Sequence, residues 1–232
     1  MSLDKKELLD RYEATGDEAL FREALPLYEQ AIANGATPDE LVQYGYLLEC
    51  HGRIVLRKAV AQYERAVELE PEFDKARYQL IGARAGLLEP EREIAACEKG
   101  LADAPNDIRQ HRFLASAYLA GRVYDKARDV AERGLALAPD DAMLMGCRAE
   151  ARAGLGDADG GLDDYRRALA LDPEHIGPLY MSAFLLEREG RIRQAIDTWR
   201  SILEWNESRG YELNTIWPRQ ELARLTALAP EA

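Results

Sequence analysis

The chain has 232 residues, with 30 Lys and Arg against 42 Asp and Glu and a formal net charge of −12. That balance disfavours general nucleic-acid binding, which needs cations to neutralise phosphates, and attraction to anionic membrane surfaces. Cys50, Cys97 and Cys147 are odd in number and far apart. This argues against a disulfide framework or a zinc knuckle and suggests packing as small apolar residues.

No apolar stretch is long enough to cross a membrane, and no charged-then-apolar leader follows Met1, so the expectation is a cytoplasmic protein. The opening MSLDKKELLDRYEATGDEAL reads as an amphipathic helix. An irregular segment, 3–37, has Ala24, Tyr28 and Ala31 in its second helix, where Pro26 predicts a kink or a helix start. A fixed period then takes over. Pro71, Pro105, Pro139 and Pro173 recur every 34 residues and close the phrases AVELEP, GLADAP, GLALAP and ALALDP. A constant interval of this kind marks a tandem array.

Each unit reads as a helix, a turn and a second helix. In 38–73, Leu41, Tyr44, Gly45 and Leu48 mark the first helix and Ala59, Tyr63 and Ala66 the second, with two extra residues between Gly52 and Ala59. Unit 74–107 is the most irregular: Gly82 is displaced by one, and Glu93 stands where a small residue is usual. Unit 108–141 carries Leu114, Ala115, Tyr118, Tyr124 and Ala127. In 142–175, Gly154 and Gly156 interrupt the first helix and Asp157 and Asp159 can cap the second. There Leu162, Tyr165, Ala168, Leu169 and Leu171 fall near helical spacing until Pro173 stops the run. Unit 176–209 has Ala183, Leu186, Gly190, Ala195, Trp199 and Ile202, with Glu207 in place of the closing proline. Ala127 and Ala168 are expected at close helix contacts. The segment 210–232 predicts a helix near 217–228, whose apolar stripe in QELARLTAL caps the array and covers Trp199 and Trp205; the alternative reading of Trp199, Trp205 and Trp217 is an exposed aromatic docking patch.

These signature positions resemble the tetratricopeptide repeat, a 34-residue helix pair with small and aromatic positions and a late proline. The resemblance implies an all-α, right-handed α-solenoid of tandem helix-turn-helix units with a C-terminal capping helix, read as one domain over 1–232. It also implies that the first helix of each unit lines a concave groove.

Chemistry is sparse. His51, His111 and His175 lie in different units and form no ligand or catalytic pair. Asp157-Ala158-Asp159-Gly160 is superficially similar to a calcium loop but lacks its remaining spacing and closing glutamate. No phosphate loop or nucleophile motif appears, so no catalytic residue, metal or cofactor is expected, and the chain is read as a non-enzyme.

The charge pattern is more informative. Residues 74–86, 108–120 and 142–154 carry net charges of +2, +2 and +1 inside an acidic chain. Arginine suits carboxylate recognition because its planar fork makes two hydrogen bonds. Lys75, Arg109 and Arg112 are the cations expected to face the groove. Arg77, Arg84, Arg148 and Arg152 fit packing positions, with Arg148 and Arg152 able to meet Asp163 and Asp164. Gln43, Tyr46, Tyr78, Gln79, Phe113, Ser116, Met143, Cys147, Tyr180, Met181 and Phe184 are the uncharged groove candidates. The carboxylate-clamp subclass of the family is rejected: its positions would be Val42, Tyr46, Gln79, Arg109 and Phe113, with one cation and no asparagine. The expected function is a protein-interaction module or adaptor binding an extended, acidic or carboxylate-bearing peptide, with neither nucleic acid nor membrane as partner. The alternative is a structural or self-assembling scaffold acting through its ends or convex face. The sequence leaves the oligomeric state open.

Overall fold

The computed structural model describes residues 4–228. Leu3, where the first segment was expected to begin, and 229–232 of the capping segment lie outside the described residues. All regular structure among the described residues is helical, gathered into two compact units, one ending at Glu89 and one beginning at Pro90.

The first unit contains α1 (Lys5–Thr15), α2 (Glu18–Ala33), α3 (Pro38–Leu69) and α4 (Asp74–Gly86). Asp4 caps α1, accepting from the Glu7 amide, while Glu7 reaches back to the Asp4 amide. Gly16 ends the helix in the left-handed region. Pro26 lies inside α2, which starts at Glu18, and does not mark a helix start. Leu8, Leu9, Tyr12, Phe21, Ala24, Tyr28, Leu47 and Cys50 form one core. Val60, Leu80 and Ala83 form a second, smaller one between α3 and α4.

The sequence reading is corrected at α3. The expected turn near Gly52 is absent, and one continuous helix of 32 residues spans both halves of unit 38–73. A comparison of turns gives the reason. In the later units the turn after the first helix carries a positive φ at Leu88, Arg122, Gly156 and Gly190, each 34 residues from the next. The two extra residues split that position in unit 38–73. Counting from the first helix gives Gly52; counting back from the second gives Ile54. A β-branched residue is a poor occupant of the left-handed region, and no proline or capping carboxylate follows in RIVLRK to start a new helix. The helix therefore runs on.

The second unit contains α5 (Pro90–Asp103), α6 (Ile108–Ala120), α7 (Tyr124–Leu137), α8 (Ala142–Gly154), α9 (Ala158–Leu171), α10 (Gly177–Arg188) and α11 (Ile192–Ser208). A 3-10 turn, Glu212–Thr215, leads into α12 (Ile216–Leu228). Helix breaks fall at each proline of the 34-residue series. Ala127 and Ala168 are fully buried at the helix contacts expected of them. Gly134 is needed nearby, since a Cβ there would come within 2.6 Å of Leu144 Cδ1 and 2.9 Å of His111 Cβ.

α12 packs on α11 and buries Leu225 against the core that contains Trp199 and Ile202. It thus covers an apolar face that the last repeat would otherwise expose. The tryptophans divide. Trp199 is fully buried, whereas Trp205 is half-buried, with the Arg209 guanidinium 4.0 Å from its ring centroid and Tyr211 beside it. Trp217 lies on the cap itself and is 46% exposed.

Candidate interaction surface

The surface is built from the first helices of the second unit. α8 packs against both α6 and α10, which sets the three side by side. Asp107 caps α6, accepting from the Arg109 amide at 2.9 Å, and Asp141 caps α8, accepting from the Leu144 amide at 2.9 Å. Both caps also hold cations. The second oxygen of Asp141 accepts from Arg112 Nε at 2.8 Å and Nη2 at 2.5 Å, and Arg109 Nη2 lies 3.4 Å from Asp107. Arg112 stays half-exposed while Asp141 is buried.

The other arginines of the sequence pattern are committed too. Arg148 donates to both oxygens of buried Asp164, at 2.8 and 2.7 Å, and Arg152 donates to the same carboxylate at 2.9 Å. Asp163, the other expected partner, pairs instead with Arg166. In the first unit Arg84 is buried and pairs with Glu64. The basic stripe counted in the sequence is thus largely matched by carboxylates within the chain. Lys75, on α4, is exposed and has no ion pair to another described residue. Tyr78 is half-buried and Gln79 exposed on the same helix.

The uncharged candidates spread over different roles. Gln43 accepts from the Tyr28 hydroxyl at 3.1 Å and donates to Asp39 at 2.7 Å, tying α3 to α2. Tyr46 donates to Glu13 of α1, and this bond pushes its pKa up to about 12. Phe113 is buried, so it contributes packing where the sequence reading expected a groove contact. Cys147 is buried as well, with its thiol pushed up to about 12 by burial and its sulfur 3.7 Å from Ser116 Oγ. Ser116 and Met143 are half-buried.

Tyr180 and Phe184 belong to an aromatic group at the capped end. Tyr180 stacks on Trp217 at 6.0 Å between centroids and meets Trp199 edge-on at 5.8 Å. Phe184 lies 5.4 Å from Trp217 and 5.5 Å from Trp199. The capping helix thus brings Trp217 beside Tyr180 and Phe184.

Glu150 entered the sequence reading only within the +1 net charge of residues 142–154. It sits on α8 one turn beyond Cys147, half-buried, with no hydrogen bond or ion pair to another described residue. Burial raises its pKa. The signal was its helical spacing from Met143 and Gly146, which sets the three on one face.

Two of the three histidines are structural, and His175 is exposed. His51 stacks on Phe21 at 3.8 Å and its Nδ1 is 2.8 Å from the Tyr12 hydroxyl. His111 is buried with Nδ1 3.2 Å from the Asp107 carbonyl. No group of three or more His, Cys, Asp or Glu among the described residues could hold a metal ion. No helix among them is long and apolar enough to cross a membrane.

Helix pairs at a 34-residue interval, close-packed at small residues and closed by a terminal helix, define an all-α solenoid of the tetratricopeptide-repeat type. A solved structure with this fold is TTC0263, a thermophilic tetratricopeptide-repeat (TPR) protein of Thermus thermophilus. It is 20% identical, with a TM-score of 0.58, over 89% of this chain and 99% of that one. MamA of Desulfovibrio magneticus RS-1, from residue 41 to its end, is 20% identical with a TM-score of 0.49, covering 82% of this chain and 95% of that one. No protein-family model matches the sequence, and no curated protein matches it.

Proposed function

We propose that the chain is a protein-interaction module whose second unit takes an extended segment of a partner protein across α6, α8 and α10. One observation carries this reading. Arg112, Ser116, Met143, Glu150, Tyr180 and Phe184 lie half-buried or exposed on three adjacent helices. They offer apolar contact and hydrogen bonding along an open face rather than an enclosed reaction site. The net charge of −12 supports a protein partner over a nucleic acid. Three buried free cysteines suit a reducing compartment such as the cytoplasm.

In this reading the segment is acidic or ends in a carboxylate. Arg109 and Arg112 supply the cations on the second unit, and Lys75, Tyr78 and Gln79 offer the same chemistry on the first. Arg112 engages a ligand by sharing the guanidinium that Asp141 already holds, which pre-orients its fork. The test is calorimetry on a partner recovered by affinity capture. Arg112→Glu is expected to weaken binding by about 2 kcal/mol or more where the pair is desolvated. Affinity unchanged by both Arg109→Glu and Arg112→Glu would remove the arginines from the mechanism.

Glu150 favours a second reading, in which the segment brings a lysine or arginine to that carboxylate. Weakening by Glu150→Gln, with Arg112→Glu neutral or favourable, would select it.

A further inference from the structure

The continuous α3 leaves open a face that a helix pair would close on itself. Leu41, Leu48 and Val55, each seven residues from the next, are 50%, 42% and 47% exposed. Gly45, Gly52, Ala59 and Ala66 run beside them at the same interval. Large and small residues thus alternate along one seam of a helix about 48 Å long, taking 1.5 Å per residue. The cores on either side use other residues of α3: Leu47 and Cys50 toward α1 and α2, and Val60 toward α4.

Two further observations show that the seam lacks a partner among the described residues. A Cβ built on Gly45 or Gly52 would meet nothing within 4 Å, whereas at Gly161 of the second unit it would come within 2.9 Å of the Ala149 carbonyl oxygen. The equivalent signature residues of α6, Leu114, Ala115 and Tyr118, are buried, and α7 packs on that helix. In unit 38–73 the matching second helix continues along the axis of the first and cannot turn back onto it.

We propose that a second copy of this chain covers the seam, the two α3 helices pairing antiparallel so that each supplies the half-unit the other lacks. The sequence is self-complementary in that arrangement. With the two-fold axis between Arg53 and Ile54, Leu41 faces Ala66, Leu48 faces Ala59 and Val55 faces Gly52. Large residues meet small ones at every level, which lets the helices approach closely. The interface is isologous, closes at two copies and restores two repeat units in trans, as in an exchange of identical elements between protomers.

Light scattering on the full chain at tens of micromolar is expected to give a dimer. Leu48→Glu and Val55→Glu change exposed residues, and each should yield a monomer with an unchanged helical circular-dichroism spectrum. The double variant Leu48→Cys, Ala59→Cys should cross-link oxidatively into a covalent dimer. A monomeric wild type overturns the proposal, as does a dimer that survives both glutamates. Cross-linking only within one chain overturns it too, because it means that α3 closes as a hairpin in solution.

Discussion

Tyr124, at the start of α7, lies against Gly154, at the end of α8: a Cβ on Gly154 would come within 2.5 Å of two ring carbons. The glycine ends one unit's first helix and the tyrosine opens the preceding unit's second helix, so their contact joins consecutive repeats. Gly154→Ala is therefore expected to force the ring aside and destabilise the second unit by about 1–3 kcal/mol, despite the better helix propensity of alanine. Urea denaturation measures the difference, and a stabilised variant would contradict the packing.

The left-handed turn residues set up a reciprocal comparison. Leu88 and Arg122 hold φ of 61° and 58°, where Gly156 and Gly190 hold 91° and 69°. Side chains with a Cβ bear a cost of about 1–2 kcal/mol in that region, against which glycine loses more backbone entropy. Arg122→Gly and Leu88→Gly should stabilise by up to about 1 kcal/mol, while Gly156→Ala should destabilise by a similar amount. Melting temperatures moving the other way in both directions would rule out the turn geometry.

Asp164 gives the largest expected loss. Removing it leaves Arg148 and Arg152 without their shared carboxylate at a buried site, and breaking a buried pair costs about 3–5 kcal/mol. Asp163→Ala, one residue away on the exposed face, should change stability by under about 1 kcal/mol. Equal effects from the two alanines would refute the assignment of the pair.

Two glutamates predict opposite responses to pH. Glu40 accepts from Lys5 and from the Thr37 amide, which lowers its pKa from 4.5 to about 2. Its contribution is present above about pH 4.5 and is lost as pH falls toward 2. Glu150 is shifted upward by burial, so its contribution is full below 4.5 and is lost as pH rises through its raised value. At neutral pH Glu150→Gln should stabilise the second unit and Glu40→Gln should destabilise the first. Both differences should shrink on acidification, that of Glu150→Gln by about pH 4. Denaturation profiles against pH separate the two, since the signs differ.

Much of the array is legible in the sequence because its determinants are local. Prolines that cannot continue a helix recur at one interval, and Ala127 and Ala168 mark contacts that admit only small residues. The continuity of α3 was hidden because it depends on what is missing after Gly52, a start signal, and on the conflict between two registers that both look regular. For the surface, the cations were visible but their occupancy was not. Whether Arg112 is available depends on Asp141, 29 residues away, and on the geometry that brings the two to 2.8 Å. A periodic clue existed: Asp107 and Asp141 precede their helices at the same repeat position, where Phe73 and His175 stand in the neighbouring units.

The double use of Asp141 links two properties that usually vary independently. One of its oxygens starts α8 and the other sets the electrical character of the face beside it. Asparagine at 141 would keep the helix start and release a positive charge to the surface; alanine would release the same charge and loosen the helix as well. A repeat array of this design can thus retune what its face attracts by one atom in a turn, without touching any residue on the face itself.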